Sequence, residues 1–180
     1  GITLVKTSNF EGYRDQHASE YEAMGRSPPL VQQYIPTGGM PEHFRVVTFL
    51  DKVVGCRRAV QNAATPVNAP VNNLVLTEKV ASNVGTQERE LHRDPEIEAF
   101  GLLIASAFDS TVKGIDILRS SEDGELYALE VNMGNVWAFS SQLGMRRTFI
   151  DAETMRNQFN LYDTVANATV KKAKELLEIT

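Results

Sequence analysis

Asp116, Glu130 and Asn132 are the residues of this chain best suited to chemistry, and they fall within one stretch, VKGIDILRSSEDGELYALEVN, from Val112 to Asn132. Two carboxylates and an amide oxygen suit a hard divalent cation such as Mg²⁺, which keeps several waters and completes its shell with phosphate oxygens. The same residues would equally serve as the solvated face of an ordinary hairpin. Their neighbours must decide.

The element that would bring them together is a hairpin. Val112–Arg119 and Glu125–Val131 are apolar-rich runs around Ser120-Ser121-Glu122-Asp123-Gly124, a polar, Gly-containing turn cluster. A turn centred on Asp123 sets position 116 opposite position 130 in an antiparallel ladder. Side chains alternate along a strand, so Asp116, Glu130 and Asn132 then share one face. The other face would carry Ile115, Ile117, Tyr127, Leu129 and Val131 as a buried surface.

A second hairpin is expected over Phe44–Val60, as FRVVTFL, Asp51-Lys52 and VVGCRRAV. An even-length turn at Asp51-Lys52 predicts Arg45 directly opposite Arg58, with Arg57 on the other face. Like charges opposed across strands cost roughly several tenths of a kcal/mol. An anion between the two guanidiniums relieves that cost, and the arginine fork suits phosphate. Two arginines splayed into solvent are the plainer alternative. Lys6 ends a predicted strand, Ile2–Lys6, before Thr7-Ser8-Asn9-Phe10-Glu11-Gly12, where it could meet phosphate or simply be solvated.

Around these hairpins the pattern predicts a short polar helix over Arg14–Met24 and a strand over Leu30–Ile35, stopped by Pro36-Thr37-Gly38-Gly39. Residues 61–86 read as a long loop with one strand near Asn73–Leu76, a length more typical of functional loops than of filler. Asp94-Pro95-Glu96 is a helix start, with an N-cap Asp, Pro at the first helical position and an acid in the first turn. Ile97, Phe100, Gly101, Ile104 and Phe108 mark its apolar face. After a loop over Met133–Gly144, a last helix over Tyr162–Leu177 would bury Val165, Ala168, Ala173, Leu176 and Leu177. This order implies an α+β class with an antiparallel sheet.

Composition narrows the classes. The chain has 180 residues, 42% hydrophobic and 23% charged, with a net charge of −5, which fits a globular domain and lacks the basic footprint of nucleic-acid binding. No apolar run approaches the ~20 residues of a membrane span, and the expected setting is cytoplasmic. A single cysteine, Cys56, cannot form an internal disulfide. It lies in a strand-like run and reads as a small buried hydrophobe. His17, His43 and His92 are scattered and read as surface histidines. The absence of an initiator Met, with a strand starting at Ile2, suggests that something precedes Gly1.

LVQQYI (30–35), FRVVTFLDKVVGCRRA (44–59), DPEIEAFGLLIASAFD (94–109) and GIDILRSSEDGELYALEVN (114–132), in this order, resemble the ATP-grasp superfamily. The resemblance covers most of residues 1–140 and is closest to carboxylate–amine ligases of the group that includes the ribosomal-protein glutamate ligase and D-alanine–D-alanine ligase. It implies an ATP-grasp fold, an antiparallel sheet with flanking helices. Residues 1–35 would be a remnant of the small lobe up to the adenine hinge, 36–180 the large lobe, and a substrate domain would lie upstream. It further implies ATP with one or two Mg²⁺ ions (or Mn²⁺) held by Asp116, Glu130 and Asn132. Arg58 would stabilise the transferred phosphoryl group with support from Arg45, Lys6 would contact phosphates, and Gln33, Tyr34 and Ile35 would form the hinge that reads adenine. The implied reaction joins a small-molecule or peptide carboxylate to an amine or thiol through an acylphosphate. A kinase on the same scaffold and a non-catalytic nucleotide-binding regulatory module are the alternatives, and the oligomeric state is left open. In SNFEGYR only Gly12 is left of the family's glycine-rich loop, and Met133-Gly134-Asn135-Val136-Trp137 departs from the Asn-x-Ser/Thr-Pro-Gly ending of many members.

Overall fold

Alternating apolar residues in two hairpins and one capped helix between them generate most of the architecture. The computed structural model describes residues 10–25, 31–38, 40–61, 87–134 and 152–178. The elements are α1 (Phe10–Ala23), β1 (Glu42–Phe49), β2 (Lys52–Gln61), β3 (Gln87–Leu91), α2 (Pro95–Ser106), β4 (Val112–Arg119), β5 (Leu126–Met133), α3 (Ala152–Asn157) and α4 (Leu161–Glu178). The strands form a five-stranded sheet in the order β3-β2-β1-β4-β5, with antiparallel pairing throughout. The expected α+β class with an antiparallel sheet and flanking helices is the one observed.

Helix α2 lies across one face of the sheet. Ile97 and Ala105 join Phe44, Val46, Cys56, Ile115 and Ile117 in the main core, with Phe100, Ile104, Leu126 and Val131 packed around it. The helix starts as its sequence predicts. Asp94 Oδ1 accepts from the Glu96 and Ile97 N–H groups, and its Oδ2 accepts from Arg119 Nη2 at 3.2 Å, tying the helix start to the end of β4. The helix comes so near the sheet that a Cβ on Gly101 would stand 2.7 Å from Val46 Cγ1. Only glycine fits that contact.

A smaller cluster joins Val47 and Val54 to Leu161 of α4, with Phe49 and Val165 beside it. The join between α3 and α4 is stitched to the sheet by Gln158, whose Oε1 accepts from the Cys56 N–H and whose Nε2 donates to the Cys56 and His92 carbonyls.

Several expectations need correction. Residues 31–38 form no strand: a strand requires a backbone ladder, whereas the contact with β5 is made by the Gln32 side chain, whose Nε2 donates to the Leu129 carbonyl at 3.4 Å. Strand β3 was not anticipated, because QEREL carries almost no apolar signal. On α4, Leu176 and Leu177 are exposed rather than buried, as is Phe108 beyond the end of α2. His43 is buried, contrary to its reading as a surface residue. The predicted strands Ile2–Lys6 and Asn73–Leu76 lie outside the described residues, as does nearly all of the loop predicted over 133–144.

Candidate functional site

Both hairpins contain a β-bulge, and the bulges decide which side chains meet. In β4–β5 the ladder runs Arg119↔Leu126, Leu118↔Tyr127, Ile117↔Ala128 and then shifts, so that Asp116 pairs with Glu130, leaving Leu129 as the extra residue. Asp116 therefore does face Glu130, and Asn132, paired with Gly114, stands on the same face. The shift also places Tyr127 opposite Leu118 on the acidic face and exposes Leu129, so neither belongs to the greasy back where the sequence reading put them.

In β1–β2 the same device has the reverse effect. Phe49↔Lys52 and Thr48↔Val53 give way to Val47↔Gly55, Val54 is left over, and Arg45 pairs with Arg57 while Phe44 pairs with Arg58. Arg45 and Arg58 thus leave opposite faces of the sheet, which corrects the expectation that they face one another. Arg58 shares the α2 side with Phe44, where its guanidinium donates to Glu42 Oε2 and to Glu90 Oε1, the latter at 3.0 Å.

Combining the pairings puts Leu91, Arg57, Arg45, Asp116 and Glu130 in one row straight across five strands. Two guanidiniums are followed by two carboxylates on a single rung. Arg45 grips Asp116 in a bidentate pair, Nε to Oδ1 at 2.6 Å and Nη2 to Oδ2. The pair is largely sealed, with side-chain exposures of 16% and 6%. Burial alone would lower the Arg45 guanidinium; the hydrogen bonds and charge of Asp116, with the charge of Glu130, outweigh it and hold the group above its ordinary value. Arg57 is pushed down to about 10 by burial and by its neighbours Arg45 and Arg89. Its Nε is buried and has no hydrogen-bond partner. A buried donor of this kind is expensive and points to an anion that would satisfy it.

The next row carries Arg89 and Ala59 beside His43. Burial, with the charges of Arg57, Arg45 and Arg89, lowers His43 to about 4 despite the opposing pull of Asp116. His43 is neutral at pH 7. Arg57, Arg89 and buried His43 are the residues that sequence reasoning missed, and a bulge inside VVGCRRAV was the signal needed to find them. Cys56 is buried as expected, and burial pushes its thiol up to about 12, so it stays protonated and inert at neutral pH.

Gln33, Tyr34 and Ile35 lie in a segment moored at both ends beside β5, by Gln32 at the Leu129 carbonyl and by the Ser121 N–H and hydroxyl, which donate to the Pro36 carbonyl. Lys6 lies outside the described residues. Among the described residues no group of three or more His, Cys, Asp or Glu is placed to hold a metal. A cation at Asp116, Glu130 and Asn132 would thus lean on the amide and on ligand oxygens. The donor chemistry fits Mg²⁺ in that form: Glu130 is exposed, and each Asp116 oxygen keeps a lone pair beyond the one given to Arg45.

No family model and no curated protein matches this chain. Among solved structures it is similar to the ATP-grasp ligase PsnB complexed with its minimal precursor, at 17% identity and a TM-score of 0.44, over 81% of this chain and 43% of that one. It is also similar to D-alanine–D-alanine ligase from Bacillus anthracis complexed with ATP, at 17% identity and a TM-score of 0.44, over 82% of this chain and 48% of that one. A further PsnB structure, with a phosphomimetic precursor variant, Mg and ADP, matches at 15% identity and a TM-score of 0.41, over 88% and 54%. The chain spans about half the length of the solved structures it matches.

Proposed function

We propose that this chain is the ATP-binding part of an ATP- and Mg²⁺-dependent ligase that joins a carboxylate to an amine or thiol through an acylphosphate. The observation carrying this reading is the row Arg57–Arg45–Asp116–Glu130, which sets anion-binding and cation-binding groups side by side on one rung. The sequence resemblance supplies the rest. Asp116, Glu130 and Asn132 would hold the metal, which supplies neutralisation of phosphate charge when bound. Arg45 and Arg57 would orient the transferred phosphoryl group and stabilise the charge that moves during transfer. In this reading Arg57 takes the role that the resemblance gave to Arg58, because Arg58 is on the far side of the sheet. Gln33, Tyr34 and Ile35 would flank the adenine, and Lys6 would contact the phosphates.

Titration calorimetry with ATP in the presence and absence of Mg²⁺ tests the proposal. Wild-type affinity should depend on Mg²⁺, and Glu130→Ala should remove that dependence. Nucleotide binding that ignores Mg²⁺ in both proteins would overturn the assignment. ADP release that requires both a carboxylate and an amine or thiol, with a new amide or thioester formed, would establish the ligase reaction.

A further inference from the structure

Lys113 is 5% exposed, yet its ammonium has no hydrogen-bond or ion-pair partner. It lines a cleft of about 550 Å³ between the turn after β1, the loop after α2 and the last turns of α4. Thr48, its cross-strand partner in β1, is fully buried and its hydroxyl oxygen also lacks a partner. A buried, unpaired ammonium is costly, and the cost is relieved when an anion is brought to it.

The other charges of the cleft set what kind of anion that is. Lys171 pairs with Asp51 and Glu175, and Lys172 pairs with Glu175, so these lysines are already engaged. Asp109, exposed on the lining, has no partner. Lys113, Lys171 and Lys172 are thus balanced by Asp51, Asp109 and Glu175, which leaves no positive surplus for a dianion. We propose that this cleft is a second ligand site, separate from the Arg57–Glu130 row, which binds a small singly charged carboxylate through Lys113. Lys113 and Ile115 point to the α2 side of the sheet, whereas Gly114 and Asp116 belong to the opposite side. Nothing in the assignment depends on the ATP-ligase reading.

The probe is acetate, titrated against chloride at constant ionic strength, with thermal unfolding and amide NMR shifts as readouts. Wild type should show a saturable rise in Tm, with shifts at the amides of 109–114. Lys113→Met keeps most of the aliphatic stem and removes the charge; acetate should then bind about tenfold more weakly or not at all. Arg57→Gln should leave the acetate response unchanged. If Lys113→Met fails to fold, Lys113→Gln and the wild-type NMR titration carry the same test. An acetate response that survives loss of Lys113, that disappears in Arg57→Gln, or that is absent from wild type overturns the proposal. So does phosphate binding tighter than acetate at matched ionic strength.

Discussion

The two hairpins use one device to opposite effect. Each gains one residue on its second strand, Val54 in β2 and Leu129 in β5. In β4–β5 the extra residue brings Asp116 to Glu130. In β1–β2 it sends Arg58 to the far face and puts Arg57 beside Arg45. A single-residue shift exchanges the two faces of a strand, so each bulge selects which of two neighbouring residues reaches the charged row. The product is two ion pairs of unequal standing on opposite faces: Arg45–Asp116, sealed, and Arg58–Glu42–Glu90, at the surface.

That inequality can be broken most sharply at Asp116. Asp116→Ala would leave the Arg45 guanidinium largely buried and uncompensated, beside Arg57. A loss of about 3–5 kcal/mol is expected in urea unfolding. A loss below about 1 kcal/mol would put the two pairs on an equal footing.

His43 gives a pH test of the same face. Its folded pKa is about 4 against 6.5 for the unfolded chain, so between these values the unfolded state binds the extra proton. Stability is full above about pH 6.5 and declines as the pH falls toward 4, by at most about 3 kcal/mol. His43→Gln should flatten that slope relative to wild type. An unchanged slope would assign the acid sensitivity to other groups.

On the α2 side the limit is steric rather than electrostatic. Gly101→Ala places a methyl 2.7 Å from Val46 Cγ1. Better helix propensity offsets part of the strain, and a net loss of about 1–2 kcal/mol is expected in denaturant unfolding. Adding Val46→Ala should recover less stability elsewhere in the core than it relieves at Gly101, so the double variant should lose less than the sum of the two single losses.

The contrast between the hairpins also marks what the sequence could and could not show. Asp94-Pro95-Glu96 announces its helix because the capping chemistry is local. Both hairpins are legible because their apolar residues alternate around polar turns. The bulges are not legible: Val54 and Leu129 are ordinary strand residues, and what makes each the extra one is the packing of Val54 with Val47 and Leu161, or the solvent exposure of Leu129 at an edge strand. Asp116 was matched with Glu130 although the assumed turn had no bulge, whereas Arg45 was matched with the wrong neighbour of the RR pair. QEREL hid a strand for a related reason. Its charges face solvent and neighbouring arginines at the edge of the sheet, where burial writes no pattern.

Arg58 supplies the smallest expected effect. Its guanidinium is 36% exposed, and Glu90 across from it is 59% exposed, so water screens both partners and side-chain entropy opposes the pairing. Arg58→Gln should therefore cost only about 0.5 kcal/mol in urea unfolding, within the range of surface pairs. The informative half of the experiment is nucleotide binding. Arg58→Gln should leave Mg·ATP affinity within about twofold of wild type, because nothing on the Asp116 face has changed. Arg57→Gln should weaken it by about tenfold or more, the worth of a charge-assisted hydrogen bond. Both residues carry the same charge, are adjacent in sequence and sit on the same strand, so neither net charge nor long-range attraction can produce the difference. If Arg58→Gln were the damaging change, phosphate would have to bind on the α2 side, and the row from Arg57 to Glu130 would lose its place in the proposed reaction.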